Sequence, residues 1–286
     1  MNIIMVQWAA DWQDSEANLV RLQAWFAEQS ALFSLDVKAT EEMVVVLPEL
    51  FHGGFSMSPE LFAEPLEGAF ILALQALANR YHCTLIVGAA IAVTHAWTDM
   101  SSHPLADTNN ALTKSKTKSK VVAYQNSGLV ISASQGLIAH YVKQKQFRFA
   151  HEQNHYVSGN KKGQFRIGDT ACALFICYDL RFPELFRAVA ETTEVMFVIA
   201  NWPQSRQAHW ETLLRARAIE NQCFVVGVNR VGRDGAGLTY SGGSMVINPL
   251  GEVIEYADVT QTIGVVILQV EQVSATRKAF PFLKDW

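Results

Sequence analysis

A thiol, a carboxylate and an ammonium each stand at the end of an apolar run, and together they have the parts for acyl transfer to sulfur. The thiol is Cys177, which follows the run ACALFI from Ala171 and precedes a stretch leading to Pro183, a favoured first residue of a helix. A helix start carries partial positive charge and unpaired N–H groups, which lower a thiol pKa and can hold an oxyanion. The carboxylate is Glu49, reached through the valine-rich run ending at Leu47 and Pro48, and followed by a turn containing Gly53 and Gly54. An unpaired buried charge is costly, so this glutamate needs a partner or a task. Pairing with an arginine or capping backbone N–H groups would satisfy it, and so would serving as general base for a thiol. The ammonium is Lys143, in HYVKQKQF from His140. It could sit beside an oxyanion or simply end a strand in water. Taken singly, all three residues admit a structural explanation.

The elements that must position them alternate between strand-like and helix-like patterns. Ile3–Trp8 reads as a first strand. Asp14 or Ser15 can cap a helix with Leu19, Leu22, Phe26 and Phe33 near a period of 3.6. Met43–Leu47 and Thr84–Val93 read as strands buried on both faces, with a helix over Phe70–Ala78 between them. Asn126–Ser132 and Gly136–Tyr141 resemble two strands joined at a turn. Ala171–Tyr178 and Val195–Ala200 are further strands, and Ser205 can cap a helix running to about Asn221. Cys223–Val228, Gly243–Asn248 and Ile263–Val270 complete the set. Strand–helix alternation indicates a layered α/β fold, and the adjacent strands indicate mixed sheets. The segment 95–122 lacks periodicity and reads as a surface insertion in a single domain spanning 1–286.

Composition narrows the partners. Half of the 286 residues are hydrophobic, enough for a sizeable core, and no linker divides the chain. With 23 basic against 27 acidic residues, the net charge of −4 argues against nucleic acid, which attracts concentrated positive charge. The cluster Lys114, Lys116, Lys118 and Lys120 alternates with Ser and Thr and reads as a solvated segment. No CxxC pair occurs among Cys83, Cys172, Cys177 and Cys223, so neither a zinc site nor a disulfide framework is indicated. Buried structural thiols are the expectation for all but Cys177. The first residues lack the basic start of a signal peptide, and no apolar run approaches the ~18–20 residues of a membrane span. A soluble protein of the cytoplasm, with no membrane association, is the expectation.

Taken together the three stretches resemble the nitrilase, or carbon–nitrogen hydrolase, superfamily. They occur in the family's order, as LPE ending at Glu49, YVKQKQF from Tyr141 and CYDLRFPE from Cys177. The last is long and specific. YQNSGLV from Tyr124, the tripeptide Asn201-Trp202-Pro203, HWETLLRARAIENQ from His209 and VNRVG from Val228 are similar as well. The resemblance is strongest to the bacterial ω-amidase branch. It implies a four-layer α-β-β-α sandwich that dimerises through helices, and it requires no metal, flavin or nucleotide. It also implies Cys177 as nucleophile, Glu49 as base, and Lys143 with the Tyr178 N–H as oxyanion donors. A second glutamate near the site corresponds to Glu152. The implied substrate is a small amide bearing a carboxylate, such as α-ketoglutaramate. Arg181, Arg206 and His209 are candidate anchors for that carboxylate, although Arg181 could instead be tied to Asp179 or Glu184. Phe55 and Trp202 are candidate pocket walls. A nitrilase, an N-carbamoyl-amino-acid hydrolase, a catalytically silent binding relative or a thiol enzyme with a histidine base are the alternatives.

One departure bears on the site. Lys145 and Gln146 stand where the family has histidine and leucine. Strand alternation would put Lys143 and Lys145 on one face. Only the distances from Tyr141 and Phe147 favour Lys143.

Overall fold

Valine- and isoleucine-rich runs with few charges cannot face water on either side, and they become the interior strands. The computed structural model describes residues 1–33, 43–94 and 121–285. In the first half it has β1 (Asn2–Val6), β2 (Met43–Val46), β3 (Glu64–Pro65), β4 (Thr84–Thr94), β5 (Val121–Ser132) and β6 (Gly136–Val142). The second half has β7 (Gln164–Ile167), β8 (Thr170–Ile176), β9 (Val195–Ala200), β10 (Phe224–Asn229), β11 (Val231–Arg233) and β12 (Thr239–Ser241). It ends with β13 (Ser244–Ile247), β14 (Val253–Ala257) and β15 (Ile263–Ile267). The helices are α1 (Ser15–Glu28), α2 (Ser30–Phe33), α3 (Ala69–Tyr81), α4 (Pro183–Arg187), α5 (Gln207–Asn221) and α6 (Glu271–Ala279).

Two mixed sheets result. One runs β15-β1-β2-β4-β5-β6, with β3 beside β4; the other runs β14-β13-β10-β9-β8-β7. Each has a parallel centre, β1–β2–β4 and β8–β9–β10, flanked by antiparallel neighbours. Side-chain alternation divides the interior into three apolar layers. Val45, Leu85, Val87 and Leu129 pack against Leu22 and Phe26 of α1 and Leu74 and Ala78 of α3. Val44, Val46, Ile86 and Val130 face Leu174, Ile176, Phe197 and Val226 across the gap between the sheets. Phe175, Met196, Val198 and Val225 meet Trp210, Leu214 and Ala218 of α5. Helix, sheet, sheet and helix are therefore stacked in the expected four layers.

Several boundaries differ from the sequence reading. Asp14 caps α1, its Oδ1 accepting from Ala17 N at 2.9 Å, a bond worth about 1 kcal/mol. Ser205 does not cap α5; it lies within a single 3-10 turn, Gln204–Arg206, and α5 begins at Gln207. Sequence reasoning passed over β7, β14, α6 and the β11–β12 hairpin, whose residues are short, half-exposed or polar. The insertion at 95–122 and its lysines lie outside the described residues, apart from Val121 and Val122, which open β5.

Candidate active site

Both parallel centres end at the same side of the sandwich, where a doubly wound sheet exposes its carboxyl ends to a ligand. Glu49 follows β2, Cys177 follows β8 and Asn201 follows β9. Because β6 runs antiparallel to β5 and β5 antiparallel to β4, Lys143 leaves the first sheet in the same direction as Glu49. Asn126 lies beside it on β5, its carbonyl accepting from Lys143 N at 2.9 Å.

The local backbone is bent to make room for these groups. Leu50 and Cys177 both have φ of 46°, in the left-handed region that side chains enter at a cost of about 1–2 kcal/mol. Glu49 crosses directly over Gly88 of β4, where a Cβ would lie 2.4 Å from the Glu49 Cα. No other residue allows that approach. Cys177 opens a 3-10 turn, Cys177–Arg181, which is anchored by Asp179. The carboxylate of Asp179 accepts from Tyr141 Oη at 2.8 Å, Ile176 N at 3.0 Å and Lys145 N at 2.9 Å. Burial pushes its carboxyl up to about 6, with those donors acting against the shift. The sequence reading placed Cys177 just before the helix at Pro183, but it is this separate turn that carries the sulfur.

Three ionisable side chains with no exposed surface meet behind the sulfur. Lys143 Nζ donates to Glu49 Oε1 at 2.8 Å and to both oxygens of Glu152 at 3.0 Å. Asn126 Nδ2 bridges Glu49 Oε1 at 2.8 Å and Glu152 Oε1 at 2.9 Å. Asn201 N reaches Glu49 Oε2 at 2.9 Å, and Phe147 N reaches Glu152 Oε2 at 2.6 Å. Burial alone would lower the Lys143 pKa, but the Glu152 and Glu49 carboxylates outweigh it and hold the ammonium well above its ordinary value. Burial, then the Glu49 charge, push the Cys177 thiol well above its ordinary value, Lys143 opposing them, and its Sγ lies 3.9 Å from Asn201 O. Both directions favour the charged form of Lys143 and the neutral thiol of Cys177.

Lys143 and Lys145 are separated, though not by strand parity. β6 ends at Val142, so alternation does not extend to either residue. Lys145 turns away, its Nζ 3.7 Å from Glu184 and 4.7 Å from the centre of the Phe182 ring. Gln146 is buried and supports the lysine from behind, its Nε2 donating to Lys143 O at 3.3 Å while its Oε1 accepts from Ser158.

Cys177 opens onto a cavity of about 430 Å³. Phe55, Trp202, Tyr178, Arg181 and Arg206 are among the residues that line it. Among the described residues no hydrogen bond or ion pair ties Arg181 to Asp179 or Glu184. Its guanidinium lies 4.8 Å from the Trp202 ring centre, and its Nη2 is 3.1 Å from His209 Nδ1. Arg206 lies 5.5 Å from the Phe147 ring. His209 is exposed and holds Arg181 without lining the cavity itself. The sequence reading missed Asn126, Trp12, Asp234 and Tyr240. Asp234 accepts from Tyr240 Oη at 2.7 Å, and both line the cavity with Trp12. Cys83, Cys172 and Cys223 are buried free thiols, as expected. Burial raises the first and last to about 12.

The family comparison decides the identity of the fold. The family described as carbon-nitrogen hydrolase matches residues 5–278. The chain belongs to the carbon–nitrogen hydrolase family. Among curated carbon–nitrogen hydrolases it is 32% identical to omega-amidase YafV of Escherichia coli (strain K12), over 100% of this chain and 96% of that one. It is 33% identical to 2-oxoglutaramate amidase of Bacillus subtilis (strain 168), over 52% of this chain and 58% of that one. Among solved structures, a CN-hydrolase superfamily protein of Xanthomonas campestris with an arsenic adduct in its active site superposes with a TM-score of 0.82. That protein is 27% identical, with 100% of this chain and 97% of that one covered. Nit3 of Saccharomyces cerevisiae, a nitrilase-superfamily member, gives 0.77 at 25% identity, covering 98% and 94% of the two chains. Among the described residues no helix is long and apolar enough to cross a membrane, and no group of three or more His, Cys, Asp or Glu could hold a metal ion.

Proposed function

We propose that this carbon–nitrogen hydrolase is an ω-amidase that splits the terminal amide of a short carboxylate-bearing substrate, such as α-ketoglutaramate, and releases ammonia. The observation that carries the reading is the placement of Cys177. Its sulfur opens onto a cavity while Glu49 and Lys143, joined at 2.8 Å, lie buried behind it. In this reading Glu49 takes the thiol proton as sulfur attacks the amide carbon. Lys143 Nζ and the Tyr178 N–H hold the oxyanion. Protonated Glu49 gives its proton to the leaving nitrogen, the C–N bond of the tetrahedral adduct breaks, and ammonia departs to leave the thioester. A water that passes its proton to the same carboxylate then frees the acid. Glu152 keeps Lys143 in place and positions the amide or the water. Names of the full-length relatives, omega-amidase above all, support the substrate class. So do the two guanidinium groups in the cavity wall, Arg181 and Arg206, which suit a carboxylate.

Three coarser proposals complete the reading. The chain is one catalytic domain, it works in the cytoplasm, and it forms a homodimer. Free cysteines fit a reducing compartment. Exposed Ile219 on α5, with Leu250 and Ile254 around β14, fits a helix-side interface between copies.

The test is ammonia release from α-ketoglutaramate, a matched nitrile and a carbamoyl amino acid, using wild type and Cys177→Ala. Turnover of the amide by wild type alone is expected. Preference for the nitrile or the carbamoyl compound would reassign the substrate. No turnover of any of the three, with no alkylation of Cys177 by iodoacetamide, would return the chain to a binding role.

A further inference from the structure

The two oxygens of a free carboxylate are equivalent, yet those of Glu49 are held differently. Oε1 receives two donors, Lys143 Nζ and Asn126 Nδ2, both at 2.8 Å. Oε2 receives Asn201 N at 2.9 Å, which leaves it room for a further partner. The thiol of Cys177 lies on the Oε2 side, its Sγ 3.9 Å from the carbonyl oxygen of Asn201, the residue whose N–H donates to Oε2. Asn126 spends its other N–H on Glu152 Oε1 at 2.9 Å, and its own Oδ1 has no partner among the described residues. That orientation follows from the neighbours. Turning the amide over would aim an acceptor at two carboxylates. Asn126 has no exposed surface and sits on the inner face of β5 with Gly128 and Val130, so water cannot take its place as donor.

We propose that Asn126 is a positioning residue that makes Glu49 a one-sided base. With Lys143 it fills Oε1, so the S–H proton of Cys177 passes to Oε2. The S–H electron pair goes into the new S–C bond, and the Oε2 proton is later returned to the leaving nitrogen. The same amide holds Glu152 at a fixed distance from Glu49, so that one ammonium can serve both carboxylates. Asn126 is not among the residues that line the cavity, and its Nδ2 donates to the two carboxylates alone among the described residues. The inference rests on the reading of Glu49 as base, and it adds a residue that fixes which oxygen does the work.

The experiment compares Asn126→Ala and Asn126→Ser with wild type and Glu49→Gln, following kcat, KM and the pH dependence of kcat/KM on α-ketoglutaramate. Removing charge-assisted donors favours the protonated carboxylate, so the acid limb of kcat/KM should move to higher pH in Asn126→Ala. At the wild-type optimum kcat should fall about 10–100-fold, with KM nearly unchanged. Asn126→Ser, which keeps one hydroxyl donor, should fall between Asn126→Ala and wild type and stands in if Asn126→Ala does not fold. An unmoved acid limb in a folded variant, with activity lost only in step with thermal stability, would reduce Asn126 to a packing role. If Glu49→Gln itself turns over like wild type, the base reading is what fails.

Discussion

Lys143, buried near Cys177, and Arg181 and Arg206, in the wall of the cavity that Cys177 lines, are cations held by different means. Lys143 has no exposed surface and donates to Glu49 and Glu152 at 2.8–3.0 Å. The two arginines are half-buried, lie over Trp202 and Phe147, and have no carboxylate partner among the described ion pairs. A charge locked between two carboxylates is fixed in place and cannot follow a substrate carboxylate. A charge resting on an aromatic face is free to take one. The difference matches the proposed division, in which the buried cluster carries the chemistry and the wall binds the substrate, so changes in the two regions should be separable.

The largest effect is expected from Lys143→Met. It leaves Glu49 and Glu152 buried side by side, which should cost about 3–5 kcal/mol in a denaturant melt. It also removes the proposed oxyanion donor, for a further expected loss of about 10²–10³ in kcat among molecules that remain folded. Full activity with a lowered melting point would show that Lys143 is structural alone, and the two regions would no longer differ as argued.

The turn beneath the sulfur gives the next test. Burial puts Asp179 at about 6, against 3.8 unperturbed, so folding favours its neutral form. The stability this contributes is fully present below the unfolded pKa and is lost as pH rises through about 6. The difference in unfolding free energy between wild type and Asp179→Asn should therefore change by about 3 kcal/mol across that window, wild type gaining as pH falls toward 4. Melts at several pH values check it. A difference that stays flat would show that the three donors keep Asp179 charged throughout.

At the wall, Arg206→Met and Arg181→Met should each raise KM for α-ketoglutaramate about 10–100-fold while leaving kcat and stability nearly unchanged. An amide of similar length without a carboxylate should be hydrolysed equally by wild type and both variants. If kcat falls instead of KM rising, the arginines belong with the buried cluster.

The same division governs what the residues themselves reveal. Glu49 and Cys177 are visible because a charge or a thiol at the end of a run of buried strand residues has few explanations. Lys143 could be singled out only through its distances to Tyr141 and Phe147, since β6 stops one residue short and alternation carries no information beyond it. Asn126 passes as an ordinary strand residue. Its importance comes from two carboxylates at sequence separations of 77 and 26. The wall is assembled from Trp12, the turn at 55–58 and the β11–β12 hairpin, and no local pattern announces that these converge. The layered α/β class was legible because each interior strand is apolar on both faces, and the four-layer stacking came only from the family resemblance, whereas β7, β14 and α6 bury too little to show a period.

The smallest effect is expected at His209, and it separates this site from a thiol–histidine pair. His209 Nδ1 lies 3.1 Å from Arg181 Nη2 on the exposed side of the wall, outside the cavity. Its contribution is to restrain one guanidinium, and exposed polar contacts of that kind are worth up to about 1 kcal/mol. His209→Ala should therefore raise KM about twofold to fivefold and leave kcat and its pH profile in place. Glu49→Gln should abolish turnover under the same conditions. The opposite pattern, with His209→Ala inactive and Glu49→Gln active, would move the base from the buried cluster to the wall. Lys143, Glu49 and Glu152 would then be an ion network that merely supports the strand ends.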